Sequence, residues 1–306
     1  MPVDSSPASA AIAHVHDLSK GGPLDRNHRV TLHFHPDLPC ESGLTLASIA
    51  RQGAYVTQFE TRTSNGGLTA HLGGDRWRWE SRIFGGAYDE RELSERPKYG
   101  SLNFSADLYG ASPRFGSSYF RLAEHTLDRT TFCFPDSVFE PGLFGTAEAM
   151  SLVDAAVAAE FEDPLDHYIE AHVHGVVDIG ADVEALVLDP SYRGTRIEEI
   201  AHSLTCPVLW HDGYAVDADE VAEHPDYRGA TVVDIAREIA LDGRLTPAIL
   251  GLARRGYYDP QDLKRVWHYI ARFGGRRRTG HSRTPARRRL MVPGAHISPR
   301  AAVRKE

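Results

Sequence analysis

The sequence predicts an α+β fold, and three observations carry that prediction. Between residues 28 and 189, short runs alternate apolar and polar residues with period two, the pattern of strands. Stretches between those runs show helical spacing instead. Beyond Asp189 the pattern turns helical, which predicts a helical subdomain after the strand-rich part. With 306 residues, 42% hydrophobic and 25% charged, the chain can build one sizeable core or two smaller ones.

The elements follow in order. Residues 1–27 start rich in Ser, Ala and Pro and are read as an N-terminal segment. In RVTLHFHPD (Arg29 to Asp37), Val30, Leu32 and Phe34 alternate with Thr31, His33 and His35, and Pro36 ends the strand. ESGLTLASIARQG then predicts a short helix, with Ser42 as its cap and Gly53 as its stop. From Tyr55 to Gly116 the apolar periodicity fades and Gly, Ser, Asn, Arg and aromatics dominate, so this region reads as loops that carry binding groups. Strands resume at SSYFRL (117–122) and RTTFCF (129–134), a helix is expected over TAEAMSLVDAAVAAEF, and HYIEAHVHGVV and DVEALVLD read as two more strands around a turn at Asp178 to Gly180. PSYRGTRIEEIA (190–201) and PDYRGATVVDIA (225–236) echo each other as a turn leading into a helix, and further helices are expected near 246–255 and 260–273. The division is therefore 1–27, a strand-rich domain over 28–189, a helical subdomain over 190–273, and a tail over 274–306.

Composition and charge exclude several classes. No apolar run approaches the roughly 18 residues of a bilayer span, and the N-terminus lacks a basic start followed by an apolar stretch, so a cytoplasmic location is expected. Cys40, Cys133 and Cys206 lie far apart with no CxxC spacing, which encodes neither a disulfide framework nor a four-thiolate zinc site. Neither a GxxxxGK[ST] loop nor a GxGxxG turn is present, against P-loop and dinucleotide-fold enzymes. The net charge of −8 hides an asymmetry: residues 272–306 hold eleven of the 34 Lys and Arg but one of the 42 acids. This basic tail, broken by Gly and Pro, could contact nucleic acid, lie on the acidic body, or stay solvated.

Three groups of residues could carry chemistry. Histidines occur as HxH pairs, His14 with His16, His33 with His35, and His172 with His174. On a strand, residues i and i+2 share a face, so a pair could offer two imidazoles to one metal. That opens a metal-dependent hydrolase reading with His33, His35, His172 and His174 as ligands. The second group is Glu170 in HYIEAHVHG: with His172 and His174 it shares one strand face, while Ile169, Ala171 and Val173 share the other. A carboxylate so placed could do acid/base or electrostatic work in a cleft, or simply be solvated. The third is QFETRTSNGG (Gln58 to Gly67), where small polar side chains and glycines allow close approach to a ligand and Arg62 could hold a phosphate; the same residues would also make an exposed turn.

Several segments together, RVTLHFHPD, QFETRTSNGG, WESRIFGGAYD, RPKYGSLN, RFGSSYFRL, and YIEAHVHG with DVEALVLDPSYRGT, resemble an uncharacterised bacterial family known as a domain of unknown function, over roughly residues 28–215. A subset is similar to the ADP-ribosyltransferase fold, particularly domains of phage-associated proteins. That resemblance implies a core of short antiparallel sheets with flanking helices, and NAD as substrate with no metal required. Carried over by position, Arg29 matches the family arginine, which would hold the pyrophosphate. Thr63 and Ser64 match its hydroxyl motif, with Asn65 beside them, and Glu170 matches its catalytic carboxylate. His33 is the early strand histidine, and Tyr88 or Tyr99 would stack on nicotinamide. Arg29 and Ser64 would then act with Glu170 in catalysis. Two positions depart from the pattern: Tyr168 stands two residues before Glu170, where the family has Gln or Glu, and Thr63-Ser64-Asn65 is a partial triplet. The first leaves the macromolecular acceptor undefined.

Three functional readings follow. The resemblance implies an NAD-dependent ADP-ribosyltransferase or NAD glycohydrolase, in which Glu170 stabilises an oxocarbenium-like state. The histidine pairs suggest a metal-dependent hydrolase. The charge asymmetry suggests a non-catalytic binding protein whose basic tail contacts nucleic acid.

Overall fold

Residues 6–61 and 70–275 are described by a computed structural model. Its organising element is an eight-stranded sheet made of β1 (Arg29–Phe34), β2 (Lys98–Asn103), β3 (Ser118–Leu122), β4 (Thr130–Phe134), β5 (Leu143–Thr146), β6 (Ile169–Val173), β7 (Val183–Leu188) and β8 (Val208–Trp210). The spatial order is β8-β7-β3-β1-β2-β6-β4-β5. All neighbours are antiparallel except β7 and β8. The fold is thus α+β with an antiparallel-dominated sheet and flanking helices. Instead of several short sheets, one wide sheet accompanied by two-stranded ribbons forms the core.

The helices are α1 (Pro7–Leu18), α2 (Thr45–Gln52), α3 (Asp75–Ile83), α4 (Leu152–Ala158), α5 (Arg196–Ala201), α6 (Ala230–Ile239), α7 (Pro247–Ala253) and α8 (Pro260–Phe273), with shorter turns between them. Among the described residues, no helix is long and apolar enough to cross a membrane.

Alternation along each strand divides the sheet into two faces. One face is apolar: Leu32, Leu102, Phe120, Phe132, Ile169, Ala171 and Leu186 pack with Leu46 and Ile49 of α2, Leu152 and Ala156 of α4, and Ile197 and Ala201 of α5. The opposite face is polar. There the register sets Ser101 of β2 opposite Glu170 of β6, Glu170 opposite Cys133 of β4, Tyr99 opposite His172, and His172 opposite Thr131. Gly100 lets β2 lie this close to β1, since a Cβ there would stand 2.5 Å from Leu32 Cδ2 and 2.7 Å from the Thr31 carbonyl oxygen. Over the β4 end, α1 and α3 cover the polar face through Ala11, Val15, Trp79 and Ile83, which pack with Cys133.

The strands expected from alternation at β1, β3, β4, β6 and β7 are present, as are the helices near 246–255 and 260–273. Gly53 closes α2 in the left-handed region at φ 66°, as read from the sequence. Four expectations need correction. Leu44, not Ser42, stands at the α2 N-cap, and the Ser42 hydroxyl donates to Ser48 Oγ at 2.9 Å. The region read as loops holds α3 and the central strand β2, whose buried positions include Arg76, Glu80, Lys98 and Ser101 and therefore show no apolar period. The long helix expected over 146–161 is reduced to α4, because Leu143–Thr146 pairs with β4 as an edge strand. The N-terminal segment contains α1, so His14 and His16 lie on a helix, where i and i+2 do not share a face.

Residues 190–273 are mainly helical, yet β8 extends the main sheet. A second apolar cluster forms around Trp267, Tyr269 and Ile270 of α8 with Val232, Val233, Leu250 and, from the strand-rich part, Leu165. The Trp267 indole donates to the Pro113 carbonyl at 2.9 Å, and its ring meets His35 edge-on at 4.8 Å. The tail beyond Gly275, with the nucleic-acid contact expected of it, lies outside the described residues.

Candidate active site

Where β1 ends at Phe34, the chain turns through Pro36 and returns into α2, leaving a space bounded on its far side by β2, β6 and α3. The resulting cavity measures about 140 Å³, and His33, His35, Arg76, Tyr99, Asp136 and Glu170 are on its wall. At the liquid's share of volume per molecule, that is room for about five water molecules.

Glu170 is the best-held group in this wall. It is 5% exposed. His172 Nε2 donates to its Oε1 at 2.9 Å, and Ser137 donates to Oε2 through its hydroxyl at 3.0 Å and its backbone N–H at 3.5 Å. The Cys133 thiol lies 3.9 Å from Oε1, and Arg76 Nη1 lies 3.7 Å from it. Burial acts to raise the Glu170 pKa, but the His172 bond, the Arg76 charge and the Ser137 bond outweigh it and hold the carboxyl below its usual range. The group is an ionised carboxylate at a cavity wall.

Behind it runs a line of hydrogen bonds with one direction. Tyr88 is buried and its hydroxyl meets His174 Nδ1 at 2.7 Å; His174 Nε2 meets Thr131 Oγ1 at 3.0 Å, and Thr131 Oγ1 meets His172 Nδ1 at 3.2 Å. Taking Tyr88 O–H as the first donor, His174 must carry its hydrogen on Nε2, Thr131 must donate onward, and His172 must carry its hydrogen on Nε2, toward Glu170. Each donor therefore points at the carboxylate. Burial and the neighbouring His172, Arg129 and Lys98 push the His174 pKa well below the histidine range, so that ring is neutral.

On the other side α3 supplies Arg76. Its Nη1 donates to Ser137 Oγ at 2.9 Å, and its guanidinium lies 4.1 Å from the centre of the Tyr99 ring. Burial opposes its charge, but Tyr99, Glu170 and Glu80 outweigh that and raise its pKa above the usual value. One turn along the helix, Glu80 accepts from the Tyr99 hydroxyl at 2.9 Å and from Arg96 at 2.5 Å, with both charged groups fully buried. This fixes α3, and with it Arg76, against β2.

The sequence-derived candidates separate accordingly. Glu170, His33 and Tyr99 come together around the cavity. His33 is spent structurally, donating from Nδ1 to the Gly116 carbonyl and accepting at Nε2 from Ser112 N–H; burial drops its pKa to about 3. Arg29 is not on this wall. It starts β1, four residues from His33 and so about 13 Å away along the strand, and its guanidinium holds Glu184 at 2.7 Å and the Arg26 carbonyl at 2.7 Å. Tyr88 is likewise off the wall, committed to His174. Thr63, Ser64 and Asn65, with Arg62, lie outside the described residues.

The proposed metal set is not gathered at one point. Among the described residues, the compact donor group is Cys133, Glu170 and His172, all within 4.8 Å of one another. His172 Nε2 is already joined to Glu170, and burial with the charges of Glu170 and Asp136 pushes the Cys133 thiol well above its usual pKa. His33 and His174 each have both ring nitrogens occupied, and His35 leans on Trp267.

Sequence reasoning missed Arg76 and Asp136. Arg76 and Glu80 are spaced i, i+4 beside Trp79 and Ile83, a helical face whose charged members hide its period. Asp136 follows β4 and caps the next turn through Val138 N–H at 2.7 Å.

Fold and site together define an α+β protein with a buried, hydrogen-bonded carboxylate on the wall of a cavity. The chain belongs to the family described as Protein of unknown function (DUF3626), whose model matches residues 29–162 and 152–273. No curated protein matches the chain.

Proposed function

We propose that this protein cleaves the nicotinamide–ribose bond of NAD, as an ADP-ribosyltransferase or an NAD glycohydrolase, with Glu170 as the catalytic carboxylate. The observation that carries the reading is the Glu170 environment: an ionised carboxylate, 5% exposed, on the wall of a cavity and held by directed donors. Loss of nicotinamide leaves an oxocarbenium-like ribose cation, and a fixed anion beside it lowers that barrier more than water can, because no reorientation is needed. Arg76 takes the place first given to Arg29, as a cation of the cavity wall. Tyr99, fixed by Glu80 and Arg76, presents a rigid aromatic edge.

Glu170→Gln keeps the size and one acceptor oxygen while removing the charge. Nicotinamide release from NAD is expected to fall about 100- to 1,000-fold, with NAD still raising the melting temperature. A variant that turns over NAD at the parent's rate would show that Glu170 is not the catalytic group.

A further inference from the structure

A second carboxylate shares the cavity. Asp136 leaves the end of β4, is 8% exposed, and stands on the wall with Glu170. One hydroxyl separates the two: Ser137 Oγ lies 3.0 Å from Glu170 Oε2 and 3.3 Å from Asp136 Oδ1. It accepts from Arg76 and has a single hydrogen to give. The shorter bond goes to Glu170, which also has His172. Asp136 retains the Val138 N–H at 2.7 Å and is the less compensated of the pair. Two carboxylates in one site, one charge-compensated and one not, divide into a stabiliser of the cation and an acceptor of a proton.

We propose that Asp136 is the base of the second half-reaction, removing the proton of a neutral O–H acceptor, water or an alcohol-type hydroxyl, as its oxygen bonds to the ribose C1′. The inference rests on the NAD-cleaving reading above. The C1′–N bond breaks and nicotinamide leaves with the electron pair; the acceptor oxygen forms the new bond to C1′, and its proton passes to the Asp136 carboxylate and then to solvent. Atoms and charge balance without a further reactant. The base thus comes from the end of β4, while the position two before Glu170 is Tyr168, which cannot serve as a carboxylate base.

The groups facing Asp136 are Glu170 on β6, Arg76 on α3 and Cys133 on its own strand, with His33, His35, Tyr99 and Tyr168 across the cavity. Burial and the Glu170 charge push its carboxyl up to about 7. A base acts only when ionised, so hydrolysis by the parent should rise with pH through about 7 and level off above it.

The test uses the full chain with NAD, with and without sodium azide, an anionic nucleophile that has no proton to lose. Asp136→Asn keeps the acceptor for Val138 N–H. It is expected to lower ADP-ribose formation at least about 100-fold and to flatten the pH profile, while reacting with azide at the parent's rate; the azide arm reports that the variant is folded and still cleaves NAD. Hydrolysis by Asp136→Asn at the parent's rate, beside an inactive Glu170→Gln, overturns the base and leaves the NAD reading standing. Equal loss in water and azide places Asp136 in the first step and also overturns it. Full turnover by Glu170→Gln, or no NAD cleavage by the parent in either arm, overturns both.

Discussion

The two faces of strand β6 are buried to the same degree and do opposite things. Ile169, Ala171 and Val173 are all 0% exposed; Glu170, His172 and His174 are 5%, 0% and 0% exposed. The first face stabilises the fold by taking apolar surface from water, about 1.5–3 kcal/mol for a large side chain, with no demand on direction. The second must match every donor to an acceptor, and from Tyr88 through His174, Thr131 and His172 to Glu170 it does. Burial therefore does not distinguish core from site here. The direction of the hydrogen bonds does: each donor of the line behind Glu170 points to the carboxylate, which stands on the cavity wall.

The strongest challenge to that contrast removes a charge from the polar side. Arg96 is fully buried, with Nη1 on Glu80 at 2.5 Å and Nη2 on the Tyr88 carbonyl at 2.9 Å. Arg96→Met would leave Glu80 buried without its cation, and a cost of about 3–5 kcal/mol in chemical denaturation is expected. The loss should shrink toward acid pH, because burial already lifts the Glu80 carboxyl to about 7 and a protonated acid needs no cation. A loss below about 1 kcal/mol would mean that the pair is solvated and α3 is not held by it.

A smaller change cuts the network in its middle. Thr131→Val keeps the shape but leaves His172 Nδ1 and His174 Nε2 unmet, at about 1–3 kcal/mol. If directed donors hold Glu170 in place, kcat for NAD cleavage falls while KM stays, since no ligand contact is lost. A change in KM alone would show the network to be structural only.

How far the sequence foretold this follows the same division. Strands β1, β3, β4, β6 and β7 were legible because one residue in two enters the apolar core, and α8 because its buried side recurs at helical spacing. Strand β2 and helix α3 were not, since their buried positions include Lys98, Ser101, Arg76 and Glu80, which an apolar pattern reads as surface. Glu170 was legible from its shared face with His172 and His174. Arg76 and Asp136 were not, because they reach the cavity from a helix and a strand end whose meeting is a product of the sheet order. The HxH spacing misled in the opposite way: it fixes which face a pair shares, while the ring partners are set by distant residues such as Gly116, Ser112 and Tyr88.

The mildest change sharpens the contrast by taking a buried polar residue outside the network. His268 on α8 is 4% exposed, and neither ring nitrogen has a partner. Burial, with Arg114, Arg228, Lys264 and Arg265 nearby, drops its pKa to about 2. His268→Leu removes two unmet polar atoms and is expected to gain about 1 kcal/mol at neutral pH. The pH dependence has a definite sign. An unfolded histidine takes up a proton below about 6.5, whereas this folded one stays neutral until about 2. Its share of stability is therefore complete above 6.5 and declines as the pH falls from there toward 2. The parent should lose stability between pH 7 and 5 more steeply than the variant, by about 2 kcal/mol at pH 5. Equal slopes would mean that water or a carboxylate reaches the ring and keeps its titration near that of the unfolded chain.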